Sequence, residues 1–315
     1  MGNTSNTTAM SSAETRGAEP SPVEVIKLGF FEVRTPDVER LAAYYRDSLG
    51  LVETGRTDSV VQLTTGADHH AVAIASGASD GRARLGFQIA STLDSAASSL
   101  RAAGISAERR HDPEPGIADA LVIVEPWSGT PLWLYQSQAS SGVAVAVGQR
   151  PTKLGHIASY VPELTSAEAF YRRVLGFRWS DTIGDFFTFL RCNRDHHAIN
   201  LMQSANRQGL FHVAFEMRDF MHLKDQLDHL AARGHRLEWG PGRHGAGHNI
   251  FSYHRDPDGN FIELFTELDI IADELTGEFE PRPWHETWPQ SPKVWTPEPA
   301  SANKWGPLNP EVGAH

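Results

Sequence analysis

The strongest constraint on this chain is that it contains itself twice. "KLGFFEVRTPDVERLAAYYRDSLGL" (27–51) aligns with "KLGHIASYVPELTSAEAFYRRVLGF" (153–177), and "DHHAVAIA" (68–75) with "DHHAINLM" (195–202). "RLGFQIA" (84–90) sits against "GLFHVAFE" (209–216), and "GTPLWLYQ" (129–136) against "GNFIELFT" (259–266). An offset of about 126 residues, drifting slightly as loops differ, marks a duplicated domain. Apolar alternation and turn residues give each half the same order: strand, amphipathic helix, strands, then that unit again. The fold expected is α+β, a duplicated domain, each half two βαβββ units forming an open barrel-like sheet. The divisions expected are an N-terminal tail over 1–22, halves over 23–140 and 149–270, and an arm over 271–315 rich in Pro and Trp.

The halves differ where it matters chemically. In this alignment His156 faces Phe30, His212 faces Phe87 and Glu263 faces Trp133. Three residues of metal-ligand type in the second copy stand against three bulky apolar residues in the first. The predicted strand Phe261-Ile262-Glu263-Leu264-Phe265 puts Glu263 on a face with Phe261 and Phe265. A buried carboxylate is costly unless it is paired or bound to a cation. Two His and one carboxylate on strands of a small barrel form the facial set that leaves coordination positions open on Fe(II). The bland alternative is a pair of satisfied core histidines and a carboxylate matched by an arginine.

Bulk properties narrow the partners. With 39 acidic and 28 basic residues the net charge is −11, which argues against nucleic acid or an anionic membrane. No apolar run approaches the ~20 residues that span a bilayer. The first 22 residues lack the basic-then-apolar pattern of a signal peptide, and the single cysteine suits a reducing cytoplasm.

The stretch "GRHGAGHNIFSYHRDPDGNFIE" (242–263) carries a resemblance. Gly242, His244, Tyr253, Asp256, Pro257, Gly259 and Glu263 fit the signature of the type I extradiol ring-cleaving dioxygenases, of the vicinal oxygen chelate superfamily; Ser252 departs from it. The resemblance covers about residues 23 to 270. It implies His156, His212 and Glu263 as ligands of Fe(II), with Mn(II) as the substitute. It implies His197 as acid–base residue, and His244 and Tyr253 as the groups that hold the catechol oxygens. The substrates implied are a catechol-type small molecule and O2.

Other candidates rest on position alone. Phe187 and Phe189 share a predicted strand face with His197, Trp239 precedes a Gly-Pro pair, and His248 follows His244 by four residues. Each is a candidate for the substrate pocket. His196 and His197 are expected on a strand, so that only one points at the metal. The Trp-rich arm is expected to pack in extended form on its own domain or on a neighbouring subunit, hence a homo-oligomer. Two rival functions are an isomerase or lyase of the glyoxalase type and a metal-free binding module.

Overall fold

The computed structural model describes residues 21–78, 82–144 and 148–309; the expected tail, up to residue 20, lies outside them. The first half runs β1 (Val25–Thr35), α1 (Val38–Ala43), β2 (Val52–Arg56), β3 (Val60–Thr64) and β4 (Val72–Ser76), then β5 (Arg82–Ile89), α2 (Leu93–Ala102), β6 (Glu108–Glu114), β7 (Ile117–Val124) and β8 (Pro131–Tyr135). The second half repeats this with β9 (Lys153–Val161), α3 (Leu164–Arg173), β10 (Arg178–Ile183), β11 (Phe187–Arg191) and β12 (Ile199–Gln203). It continues as β13 (Gly209–Glu216), α4 (Phe220–Ala232), β14 (Leu237–Arg243), β15 (Ile250–Arg255) and β16 (Phe261–Thr266). The duplicated βαβββ order is thus observed.

Each helix begins where its sequence says it should. Asp37, Thr92, Glu163 and Asp219 accept hydrogen bonds from first-turn amides of α1, α2, α3 and α4. The helices bury Leu41, Leu93 and Leu100, Tyr171, and Leu223 and Leu230 against the convex faces of the sheets. One apolar core runs through both halves, with Phe31 of β1 meeting Phe215 of β13 edge to face. The seam also holds a buried ion pair, Arg82 with Glu125, whose carboxylate also accepts from the Tyr171 hydroxyl of α3.

The two large sheets have eight and nine strands, ordered β2-β3-β4-β1-β5-β8-β7-β6 and β14-β15-β16-β13-β9-β12-β11-β10 followed by one strand more. The ninth strand comes from the arm, which forms β17 (Ile271–Asp273), β18 (Glu278–Phe279), β19 (Lys293–Trp295) and α5 (Pro299–Ala302). β19 pairs in parallel with β10, and Trp295 packs against Ile183, Phe189 and Ala246. The arm therefore packs on its own domain, one of the two placements expected for it. Among the described residues no helix is long and apolar enough to cross a membrane.

The register corrects the half-to-half alignment. In the second half Ala214 of β13 pairs with His156 of β9 and with Glu263 of β16. In the first, Gly86 of β5 is opposite Phe30 and Trp133. Phe30 and Trp133 are thus the counterparts of His156 and Glu263, as expected. His212 lies two residues before Ala214, so its counterpart is Arg84, two before Gly86. Phe87 instead matches Phe215. The sequence alignment slipped by three because the offset between the halves grows along the chain, from 126 at Phe30 and His156 to 128 at Gly86 and Ala214 and 130 at Trp133 and Glu263, as the connecting segments differ in length.

Candidate active site

Three adjacent strands at the centre of the second sheet bring three donor atoms together. His156 Nε2 lies 3.1 Å from His212 Nε2 and 3.0 Å from Glu263 Oε2, and His212 Nε2 is 3.1 Å from the same oxygen. All three side chains are buried. Among the described residues no Arg or Lys is bonded to the carboxylate. Its partners besides the imidazoles are the Tyr253 hydroxyl, which donates to Oε2 at 2.8 Å, and Asn249, which donates to Oε1 at 2.9 Å. Burial alone would raise the Glu263 pKa, but His156, His212 and His244 outweigh it and hold the carboxyl well below its usual range. Burial pulls the His212 imidazole down to about 4, so at neutral pH it offers a lone pair. Convergent lone pairs around an unmatched buried negative charge are what a divalent cation satisfies.

The first half shows the same hollow closed. The Arg84 guanidinium lies 4.1 Å from the centre of the Trp133 ring and forms ion pairs with Glu32 and Glu114. Phe30 fills the place of His156 so tightly that a Cβ on Gly86 would come within 2.0 Å of its ring. The hollow is filled by an arginine–carboxylate pair as well as by apolar bulk, which the slipped alignment concealed.

Around the triad lies a cavity of about 320 Å³. His197, His244 and Tyr253 all line it. His244 Nδ1 is hydrogen-bonded to the Ala302 carbonyl of the arm, which fixes its proton there and leaves a lone pair on Nε2, 3.3 Å from the Tyr253 hydroxyl oxygen. Burial, and then the Glu263 charge, push the Tyr253 phenol well above its ordinary range, so it remains a donor. His197 stands with its ring centre 4.2 Å from that of His156, and burial holds its imidazole well below the usual pKa.

The remaining candidates divide. Phe187, Phe189 and Trp239 line the cavity. Trp239 is a fixed wall: its Nε1–H donates to the Pro307 carbonyl and its ring stacks on Tyr253. His248 does not reach the cavity. It is buried outside, with Nδ1 2.6 Å from Asp269 Oδ2, while His285 of the arm binds Oδ1 at 2.8 Å. His196 and His197 precede β12 and do not lie on it; both are buried, and their rings diverge because Nδ1 of one meets Nδ1 of the other at 2.8 Å. Arg243 turns away, donating to the His248 carbonyl and pairing with Glu267.

Sequence reasoning missed Asn249 and Asn200, which also line the cavity, because amides beside hydrophobic strands carry no signal of their own. It also missed the arm's contribution: Pro297, Pro299, Ala302 and Leu308 close one side of the cavity.

This arrangement agrees with the comparisons. The description "Glyoxalase/Bleomycin resistance protein/Dioxygenase superfamily" matches residues 27–126 and 153–264. The chain belongs to that superfamily. Within it, the chain is 32% identical to metapyrocatechase 2 of Cupriavidus necator, over 51% of this chain and 46% of that protein. It is 27% identical to biphenyl-2,3-diol 1,2-dioxygenase of Paraburkholderia xenovorans (strain LB400), over 87% of this chain and 95% of that protein. Among solved superfamily structures, the Mn(II)-bound glyoxalase from Novosphingobium aromaticivorans superposes with a TM-score of 0.80 at 28% identity, covering 93% of this chain and 95% of that one.

Proposed function

We propose that the chain is an extradiol dioxygenase that opens a catechol-type ring bearing an uncharged, apolar substituent. The observation that carries the reading is one cavity in which the His-His-Glu set, three further acid–base groups and an apolar wall meet. The catechol dioxygenases among the relatives support it.

His156, His212 and Glu263 would hold Fe(II) or Mn(II), which supplies the electron relay that lets a singlet catechol react with triplet O2. The chain's own residues do the rest. Tyr253 donates a hydrogen bond to one substrate oxygen. His244, with its proton fixed on Nδ1, accepts the proton of a substrate hydroxyl at Nε2. His197, whose ring stands against that of His156, takes up a substrate proton at Nε2 and returns it as oxygen is inserted. Phe186, Phe187, Phe189 and Phe211 exclude water and face the ring. Catechol and O2 combine to an open-chain hydroxymuconic semialdehyde with both oxygen atoms incorporated, so no further co-substrate is required.

The substituent follows from the walls. Ile183, Met202, Phe211 and Leu308 line the cavity, and no Arg or Lys does so among the described residues. A carboxylated catechol would leave a buried anion unmatched. The test is anaerobic loading with Fe(II), addition of phenyl-, alkyl- and carboxylate-bearing catechols, then air. A yellow product with one O2 consumed per substrate, and the highest kcat/KM for the apolar members, is expected. Preference for the carboxylates would overturn the substrate class, and no oxygen uptake with iron bound would overturn the reaction. The likeness to the Mn(II)-bound glyoxalase favours a second reading, an isomerase or lyase on the same scaffold; turnover of a hemithioacetal without O2 uptake would establish it.

A further inference from the structure

The two halves share a His-His pair, yet only in the second does a carboxylate meet the outer imidazole, the one turned away from the central row. In the first half His69 and His70 approach Nδ1 to Nδ1 at 3.1 Å, as His196 and His197 do at 2.8 Å. The pair alone is therefore a property of the fold. In the second half the chain goes on: His196 Nε2 lies 2.9 Å from Asp181 Oδ2 on β10. Asp181 pairs with Phe189 just after a bulge, and the residue at that place in the first half, paired with Gln62 after the same bulge, is Gly55. A Cβ on Gly55 would lie 2.5 Å from the Gln62 amide oxygen, so in the first half the Gln62 side chain stands where this residue would begin. The arm completes the end of the chain: Trp295 Nε1–H donates to Asp181 Oδ2 at 2.8 Å and the Lys293 amide to Oδ1 at 2.8 Å.

We propose that Asp181 and His196 are positioning residues that fix the proton of His197 on Nδ1 and leave its Nε2 lone pair for the cavity, the arm holding the carboxylate in place. The argument is one of donors and acceptors. An ionised Asp181 only accepts, so it fixes the His196 proton on Nε2. The His196 Nδ1 lone pair then accepts from His197 Nδ1–H. His197 is left with Nε2 as its one unprotonated nitrogen, and its ring lines the cavity beside His156. Without the carboxylate both imidazoles could exchange tautomers, and His197 would present a proton where the reaction needs an acceptor. In the first half the counterpart of His197 is His70, whose Nε2 instead faces the Glu114 carboxylate at 3.5 Å, a carboxylate already paired with Arg84.

This rests on the proposed reaction, so the decisive readout does not use turnover. Long-range 1H–15N correlation spectra of the full chain loaded with Zn(II), which is diamagnetic, report the tautomer of each histidine; a His197→Gln spectrum identifies the resonances. The expected result is His197 protonated on Nδ1 and His196 on Nε2. In Asp181→Ala the His197 signals should shift to a mixture of tautomers. In the Fe(II) protein kcat should then fall about 10- to 100-fold with KM for catechol and iron content unchanged. Trp295→Phe, which keeps the ring and loses the donor, should move both readouts the same way but less, and it decides the matter if Asp181→Ala does not fold. His197 protonated on Nε2 in the unaltered protein overturns the proposal, as does an unchanged tautomer and kcat in the variants. A correct tautomer without catechol turnover would leave the chain standing and sink the reaction.

Discussion

Two rows of the molecule occupy the same place in two copies of one fold. In the first, Phe30, Gly86 and Trp133 lie side by side, with Arg84 locked between Glu32 and Glu114. In the second, His156, Ala214 and Glu263 lie side by side, with His212 in the place of Arg84. The first row satisfies its charges within the protein and fills its volume. The second leaves a buried carboxylate without a cationic side chain and a cavity beside it. Duplication thus separates what the fold demands from what the chemistry demands: the strands, the bulges and the His-His pair belong to both halves, whereas the triad, Tyr253 and Asp181 belong to one.

The largest effects should fall on one row only. His212→Ala should abolish turnover by removing a metal ligand. Trp133→Ala should cost about 3–5 kcal/mol of stability in chemical denaturation yet leave the catalytic constants of the folded protein alone. Next comes Tyr253→Val, which installs the residue of the first half, since Val122 pairs with Trp133 as Tyr253 does with Glu263. Steady-state kinetics should show kcat lowered by about 10- to 100-fold.

The central residues of the rows allow a finer contrast. Gly86→Ala drives a methyl into the Phe30 ring and should destabilise by about 1–3 kcal/mol. Ala214→Gly meets no such barrier and should cost about 1 kcal/mol or less. Equal costs would mean that the two hollows are not closed and open as described.

The seam adds a further, pH-dependent contrast. Burial holds His254, which contacts the Tyr44 hydroxyl across the halves at 2.7 Å, down to about 3. The unfolded chain takes up that proton near 6.5, the folded chain only near 3. The folded state is therefore fully favoured above about 6.5 and loses stability as pH falls toward 3, by about 1 kcal/mol per pH unit from this residue. His254→Asn should flatten that part of the stability–pH curve; an unchanged slope would show that His254 is not the group responsible.

Much of this was legible in the sequence because duplication supplies an internal reference. His156 and Glu263 stood out against Phe30 and Trp133, and the βαβββ order followed from alternation and turn residues. His212 was found, but against the wrong partner, since the connecting segments of the two halves differ in length and the apolar strand residues around it do not fix the offset. Asp181 was invisible for another reason: a polar residue in a strand reads as solvent-facing, and only its pairing shows it buried against His196. His248 fails as a pocket residue because its backbone, at φ 52°, turns the ring toward Asp269. The closing of the cavity by the arm depends on contacts between residues far apart in sequence, which local pattern does not encode.

The central claim is that one copy binds a cation and the other has closed its site, and metal stoichiometry tests it most directly. Metal-free protein, loaded anaerobically with excess Fe(II) and freed of unbound iron, should hold one iron per chain by elemental analysis. Glu263→Ala should hold none. Two irons per chain, or one retained in Glu263→Ala, would contradict the account.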